Sequence, residues 1–204
     1  MAEPVPQSDT PDQYGAFPRL SDQQIEALAE HGRQRRTRPD EVLFREGDLS
    51  CDFFVILEGT VAIVEGYGDD ERVLSVHGPG RFLGELGILT SEAVFVTAVF
   101  RQPGKVLAIT VARLRRLVSQ DATLGDVILR AYLMRRLILI GLGTGLKIVG
   151  SRYSRDTRRL REFCARNRLP HRFLDLEQDQ TAEALLCRLG LAADETPVVI
   201  WGGQ

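Results

Sequence analysis

The apolar positions of this chain change period twice. After a polar opening (MAEPVPQSDTPDQYGAF, 1–17), Ser21 followed three residues on by Gln24 makes a capping-box pattern ahead of Ile25, Leu28 and Ala29. That spacing predicts a short helix ending near His31. From Pro39 to about Ile109 the texture is short β-branched runs, VLF (42–44), FFVI (53–56) and VAIV (61–64), punctuated by glycines at 47, 59, 66, 68, 78, 80 and 84. Short strands with glycine turns at this spacing predict a sandwich or barrel. The period then becomes helical: Leu114, Leu117 and Val118, a break, then Leu124, Val127, Ile128, Ala131, Met134 and Leu137. Two helices in succession are expected. Three glycines in GLGTG (141–145) stop the second one and mark a linker.

Beyond the linker the pattern alternates. LKIVG (146–150), FLDL (173–176) and PVVIW (197–201) read as strands, and SRDTRRLREFCARNR and TAEALLCRLG read as helices. In the first of these helices Leu160, Phe163 and Cys164 are expected to face inward, and Cys187 is expected in the core of the second. The order is β-α-β-α-β, with the first two strands parallel and joined by a right-handed crossover. The predicted organisation is a flexible leader at 1–17, a β-barrel domain with flanking helices at 18–140, a linker at 141–145 and an α/β segment at 146–204.

Composition narrows the function classes. A net charge of -2 and a pI near 6.0 argue against a chain built to neutralise phosphate backbones, so nucleic acid is an unlikely partner. Three cysteines with no CxxC pair give neither a disulfide framework nor a thiolate metal site, which fits a reducing cytoplasm. No signal-peptide pattern opens the chain. The longest near-apolar stretch, LILIGLG (137–143), is far short of the ~20 residues that span a bilayer, and a soluble protein is expected.

The segments PDEVLFREGDLSCDFFVILEGTVAIV (39–64) and GPGRFLGELGIL (78–89) resemble the cyclic-nucleotide-binding domain family, the sensor of bacterial cAMP receptor proteins and kinase regulatory subunits. The resemblance spans roughly 18–140 and implies a jelly-roll barrel. Gly47 and Gly59 match the family's turn glycines, and Gly84, Glu85 and Leu86 match its phosphate-binding cassette. A glycine in a tight turn lets successive backbone N–H groups converge on an anion, and Glu85 would accept from a ribose hydroxyl. The family's phosphate-pairing arginine falls on Val94, followed by Phe95, both apolar where an anion needs a cation. Arg81, Arg101, Arg130 and Arg135 are the nearby cations, and spacing selects none of them. Three outcomes stay open: a barrel that has lost its ligand, one with an altered ligand, or an ordinary cAMP or cGMP site. The helix at 122–140 is a candidate homodimer seam or a face packed on its own barrel, and Arg135 and Arg136 are expected to be solvated.

Residues 146–201 resemble the glutaredoxin and thioredoxin fold. The strand-turn-helix at Ser151-Arg152-Tyr153-Ser154 occupies the place of that family's redox turn, and Thr196-Pro197 stands where it carries a cis-proline. Serines at 151 and 154 cannot form a disulfide, so no dithiol chemistry is expected, and Ser154 reads as a helix N-cap. The arginines at 155, 158, 159, 161, 166 and 168 read as a solvated helical face. The fold class is therefore α+β: a jelly-roll-type barrel with flanking helices, then an incomplete thioredoxin-like α/β segment. PVVIW is followed only by Gly202-Gly203-Gln204, short of the fourth strand and closing helix of a thioredoxin-type sheet, so further chain is expected.

The tandem is similar to the N-terminal half of bacterial proteins in which these two modules precede a flavin-dependent thioredoxin reductase. That likeness implies a ligand-sensing regulatory module without catalytic residues or metal, working with a reductase domain in cis or in trans. FAD and NADPH would belong to such a domain, because GLGTG lacks the GxGxxG spacing and position of a dinucleotide site. The rival readings are a cyclic-nucleotide-type adaptor and a Crp-like transcription regulator; the strand-like runs after 146 speak against a helical DNA-reading half.

Overall fold

The computed structural model describes residues 9–48, 51–67, 71–84, 94–142 and 144–200. The chain divides into two compact units, Met1–Arg135 and Arg136–Gln204.

In the first unit, helix α1 (Asp22–Ala29) begins as its sequence dictates. Ser21 Oγ accepts from the Gln24 N–H at 3.2 Å, and the Ser21 N–H donates to Gln24 Oε1 at 2.9 Å. Eight strands follow: β1 (Arg33–Thr37), β2 (Val42–Phe44), β3 (Phe53–Glu58), β4 (Val61–Glu65), β5 (Arg72–His77), β6 (Phe82–Leu83), β7 (Thr97–Phe100) and β8 (Gly104–Ile109). They form two four-stranded antiparallel sheets, β1-β8-β3-β6 and β2-β7-β4-β5. Phe53 to Ile56 are buried consecutively in β3. Strand side chains alternate between faces, so both faces of β3 are covered. Phe53 and Val55 join Leu28, Phe82, Leu107, Leu114, Leu124 and Ile128 in the core beneath the helices. Phe53 and Phe82 stack there at 5.3 Å.

Helix α2 (Val111–Gln120) ends at Asp121, whose carboxylate accepts from the Leu124 N–H at 3.0 Å and so opens α3 (Ala122–Gly141). Leu124, Ile128, Ala131 and Tyr132 form the buried stripe of α3. On its opposite side Leu129, Leu133, Leu137 and Ile140 are exposed, Leu137 by 58%. Among the described residues no helix is long and apolar enough to cross a membrane.

The expected flexible leader is corrected by the packing from Asp9 onward. Ala16 and Phe17 are buried, and the Thr10 N–H donates to Val76 O at 2.8 Å. Apolar residues this close to a barrel gain more by burial than the chain loses by ordering.

The second unit holds β9 (Leu146–Gly150), α4 (Arg155–Arg166), β10 (His171–Asp175), α5 (Gln180–Leu189) and β11 (Val198–Ile200) in the sheet order β10-β9-β11. β10 runs parallel to β9 and β11 antiparallel to it. Its core is Val149, Leu174, Ala182, Leu186 and Ile200. Two expectations are corrected here. Phe163 is 57% exposed, because the buried stripe of α4 runs through Thr157 and Cys164 and residue 163 lies about 100° around the helix from 164. Cys187 is exposed for the same reason, one step off the Ala182–Leu186 stripe.

Candidate functional site

The barrel's candidate site is framed by two anchored ends. Strand β6 pairs Phe82 with Val55 and Leu83 with Phe54, then turns at Gly84. Gly84 has φ +85°, and a Cβ there would sit well inside contact distance of the Asp52 carbonyl oxygen. Only glycine fits both conditions. At the other end the Val94 N–H donates to Asp48 O at 2.9 Å, and Val94 O accepts from the Gly47 N–H at 2.8 Å. The turn it docks on is itself closed by Asp48, whose carboxylate accepts from the Arg45 N–H at 2.8 Å. Val94 and Phe95 are buried. Glu85 and Leu86 lie outside the described residues.

The four nearby cations have other engagements or lie outside the core. Arg81 Nε donates to Asp9 Oδ2 at 3.1 Å, and Arg101 is paired with Glu71 and, at 3.4 Å, with Asp40. Arg130 is exposed on α3. The expectation of a solvated Arg135 is corrected: its Nε donates to Ala16 O at 2.7 Å, and its guanidinium lies over the Phe82 and Phe17 rings at 4.8 and 5.7 Å. Arginine favours such stacking, because its weakly hydrated plane loses little on leaving water. Arg136, also expected in solvent, donates from Nε to Arg168 O at 3.1 Å.

Sequence reasoning missed His77. It is almost fully buried, its Nε2 is 3.0 Å from Ser75 Oγ, its Nδ1 has no partner among the described residues and its ring lies 5.0 Å from Phe17. Burial, then the charges of Arg135 and Arg81, hold its pKa well below the usual 6.5. The imidazole is neutral. No local signal in SVHGPG points to this, because the groups around it come from the N-terminal segment and α3.

In the second unit, Ser151 and Ser154 stand in the turn between β9 and α4. Ser154 caps the helix, its Oγ accepting from the Thr157 N–H at 3.3 Å. Ser151 Oγ donates to Glu177 and accepts from the Tyr153 N–H at 3.2 Å. The Arg152 N–H reaches Asp175 Oδ1 and Glu177 Oε2 at 3.3 and 3.2 Å, and its guanidinium pairs with the other Asp175 oxygen. Burial pushes the Asp175 carboxyl up, but a side-chain hydrogen bond shared with Glu177, the Arg152 guanidinium and the Glu177 and Arg152 backbone N–H groups outweigh it and bring the pKa to about 2. The Thr196–Pro197 bond is cis, and the Gly150 backbone lies against Pro197 and Thr157: a Cβ on Gly150 would come within 3.1 Å of Pro197 Cβ and 2.6 Å of Thr157 Oγ1. Hydroxyls and an ion pair whose Arg152 side chain is 40% exposed can cap and bind, but they cannot cycle through a disulfide. Among the described residues no cluster of His, Cys, Asp and Glu could hold a metal ion.

Residues 34–121 match the family model of the cyclic nucleotide-binding domain. The CRP-like protein Clp of Xanthomonas campestris is 34% identical over 106 residues, 48% of this chain and 45% of that protein; the Clp of Xanthomonas oryzae matches equally. The chain thus spans about half the length of these relatives. A catabolite activator protein of Thermus thermophilus superposes with a TM-score of 0.50 at 25% identity, covering 60% of this chain and 58% of that one. A transcriptional regulator of Thermotoga maritima has the same TM-score at 21% identity, over 58% of this chain and 94% of its own, a likeness of fold. Over residues 34–121 the chain is similar to a cyclic nucleotide-binding domain, and it is similar to CRP-like proteins over about half their length.

Proposed function

We propose that this chain is a ligand-sensing regulatory module of the CRP-like kind, whose barrel takes a cyclic nucleotide or a related anion. The observation that carries the reading is the anchored cassette frame: Gly84 pressed against Asp52 at one end and Val94 pinned to Gly47 and Asp48 at the other. Glu85 and Leu86 between these ends are the proposed ligand contacts. Val94 in place of a cation weakens the hold on phosphate, because a buried anion then depends on backbone N–H groups alone. Titration calorimetry with cAMP and cGMP tests both parts. Weak binding by the wild type, tightened in Val94→Arg, is the expected result. No heat from either protein would defeat the sensing role, and submicromolar binding by the wild type would defeat the role given to Val94. The exposed stripe of Leu129, Leu133, Leu137 and Ile140 on α3 supports a homodimer through that helix.

A second reading concerns residues 146–204. Their β-α-β-α-β order, with β10 parallel and β11 antiparallel to β9, supports a glutaredoxin-like segment, and the serines at 151 and 154 support a redox-silent one. Such a segment would work beside a flavin-dependent reductase that brings its own FAD and NADPH. Copurification with, and altered turnover of, such a reductase would support this reading. A purified chain that reduces insulin by itself would overturn it.

A further inference from the structure

The N-terminal segment places the Asp9 carboxylate between two arginines and a backbone N–H. Asp9 Oδ1 accepts from the Gly78 N–H at 3.1 Å, and its Oδ2 accepts from Arg81 Nε at 3.1 Å and from Arg19. The Arg81 side chain is only 5% exposed, and its Nη1 is buried without a hydrogen-bond partner among the described residues. Burial, opposed by Asp9 and Asp12 and reinforced by Arg19, holds the Arg81 guanidinium below its usual pKa. Arg81 thus faces two carboxylates, Asp9 in contact and Asp12 at longer range, while its buried Nη1 stays an unfilled donor. A carboxylate supplies one negative charge and two oxygens. A phosphate group supplies up to two charges and three or more oxygens, in a geometry suited to guanidinium forks and backbone N–H groups.

We propose that Arg19, Arg81 and the Gly78 N–H form a phosphate-binding site in which Asp9 is the resident stand-in for the ligand. The ligand class is inorganic phosphate or a phosphate monoester. Exchange of Asp9 for such a ligand has a consequence beyond the site. The same strap exchanges two hydrogen bonds with Val76 through Thr10, both of 2.8 Å, and Ala16 O accepts from Arg135 on α3. Releasing Asp9 therefore loosens the contact between the strap and α3. The proposal does not depend on whether the barrel binds a cyclic nucleotide.

Asp9→Asn is the primary test, since it keeps the side chain's shape and removes its charge. Phosphate-31 NMR and thermal unfolding should show inorganic phosphate binding Asp9→Asn roughly tenfold more tightly than wild type, the change expected from losing a charged competitor. Adding Arg19→Gln should remove the gain. Chloride at equal ionic strength should not reproduce it. A nucleoside monophosphate run in parallel separates the sources: equal affinity marks a site for free phosphate, and tighter binding marks a site for an ester. If Asp9→Asn does not fold, the wild type still decides, because phosphate but not chloride should speed hydrogen exchange of the Thr10 amide. A phosphate effect no greater than that of chloride, in the folded variant or on the Thr10 amide, overturns the proposal.

Discussion

Replacing Gly84 by alanine should damage the barrel more than replacing Gly47, although both glycines have positive φ. Among the described residues Gly47 (φ +92°) has nothing within 4 Å of where a Cβ would sit, so its substitution is expected to cost only the backbone term, about 1–2 kcal/mol. Gly84 (φ +85°) carries the same term, and its new methyl would also collide with the Asp52 carbonyl oxygen while lying against the Phe53 backbone. Neither neighbour is a flexible side-chain tip. Both belong to the start of β3, which is held by β6 and β8, so relief requires a shift of paired backbone. Overpacking of that kind costs a further ~1–3 kcal/mol, which puts Gly84→Ala at about 2–5 kcal/mol in all. Because the chain has two units, whole-protein denaturation curves would mix their transitions. The assay is therefore hydrogen exchange by mass spectrometry on peptides covering 53–58 and 80–84. Protection there should drop sharply in Gly84→Ala and slightly in Gly47→Ala. Equal loss in the two variants, or the greater loss in Gly47→Ala, would refute the idea that Gly84 is clamped between β6 and Asp52.

His77 should make stability fall on acidification. Its folded pKa lies below the unfolded 6.5, so the unfolded chain takes up the proton first, and stability is full above about pH 6.5 and declines as pH drops. The slope is at most about 1.4 kcal/mol per pH unit for this one proton, and urea midpoints from pH 8 to 5 should decline less steeply in His77→Gln. Asp175, held at about 2, contributes stability that is present above 3.8 and lost as pH falls toward about 2; Arg152→Gln should raise its carboxyl pKa in an NMR titration. Light scattering should find a dimer that Leu133→Glu with Leu137→Glu converts to monomer, and a monomeric wild type at high concentration would remove α3 as the seam.

What could be read from the chain was whatever depends on near neighbours. The Ser21–Gln24 box, the Ser154 cap and the break at Asp121 involve groups a few residues apart, and each forms as its spacing implies. The strand runs in 39–109 and the parallel pairing of β9 with β10 follow from patterns that persist over whole elements. Phe163 and Cys187 were misplaced because a single-residue offset on a helix turns a side chain by 100°, and both helices have apolar residues on adjoining steps. Burial there is decided by what packs on the helix. The opening segment was harder still: Asp9 has no apolar character, and its partners Gly78 and Arg81 lie far along the chain.

The same distinction bears on the cassette. A positive-φ turn is a local demand, so Gly84 could be named from the residues around it. The charge available to a ligand is not local. Arg81 and Arg101 both come from the cassette's neighbourhood in sequence, yet the carboxylates that engage them, Asp9 for one and Asp40 and Glu71 for the other, come from remote turns. Each such pair draws a cation toward its carboxylate, with which a cassette ligand would have to compete. Among the described residues, Val94 therefore stands in a site whose nearest sequence-proximal cations are committed elsewhere. Adding one charge at that position tests the electrostatic argument directly. Substituting Arg81 or Arg101 would instead release carboxylates whose effect on the fold cannot be separated from any effect on the ligand.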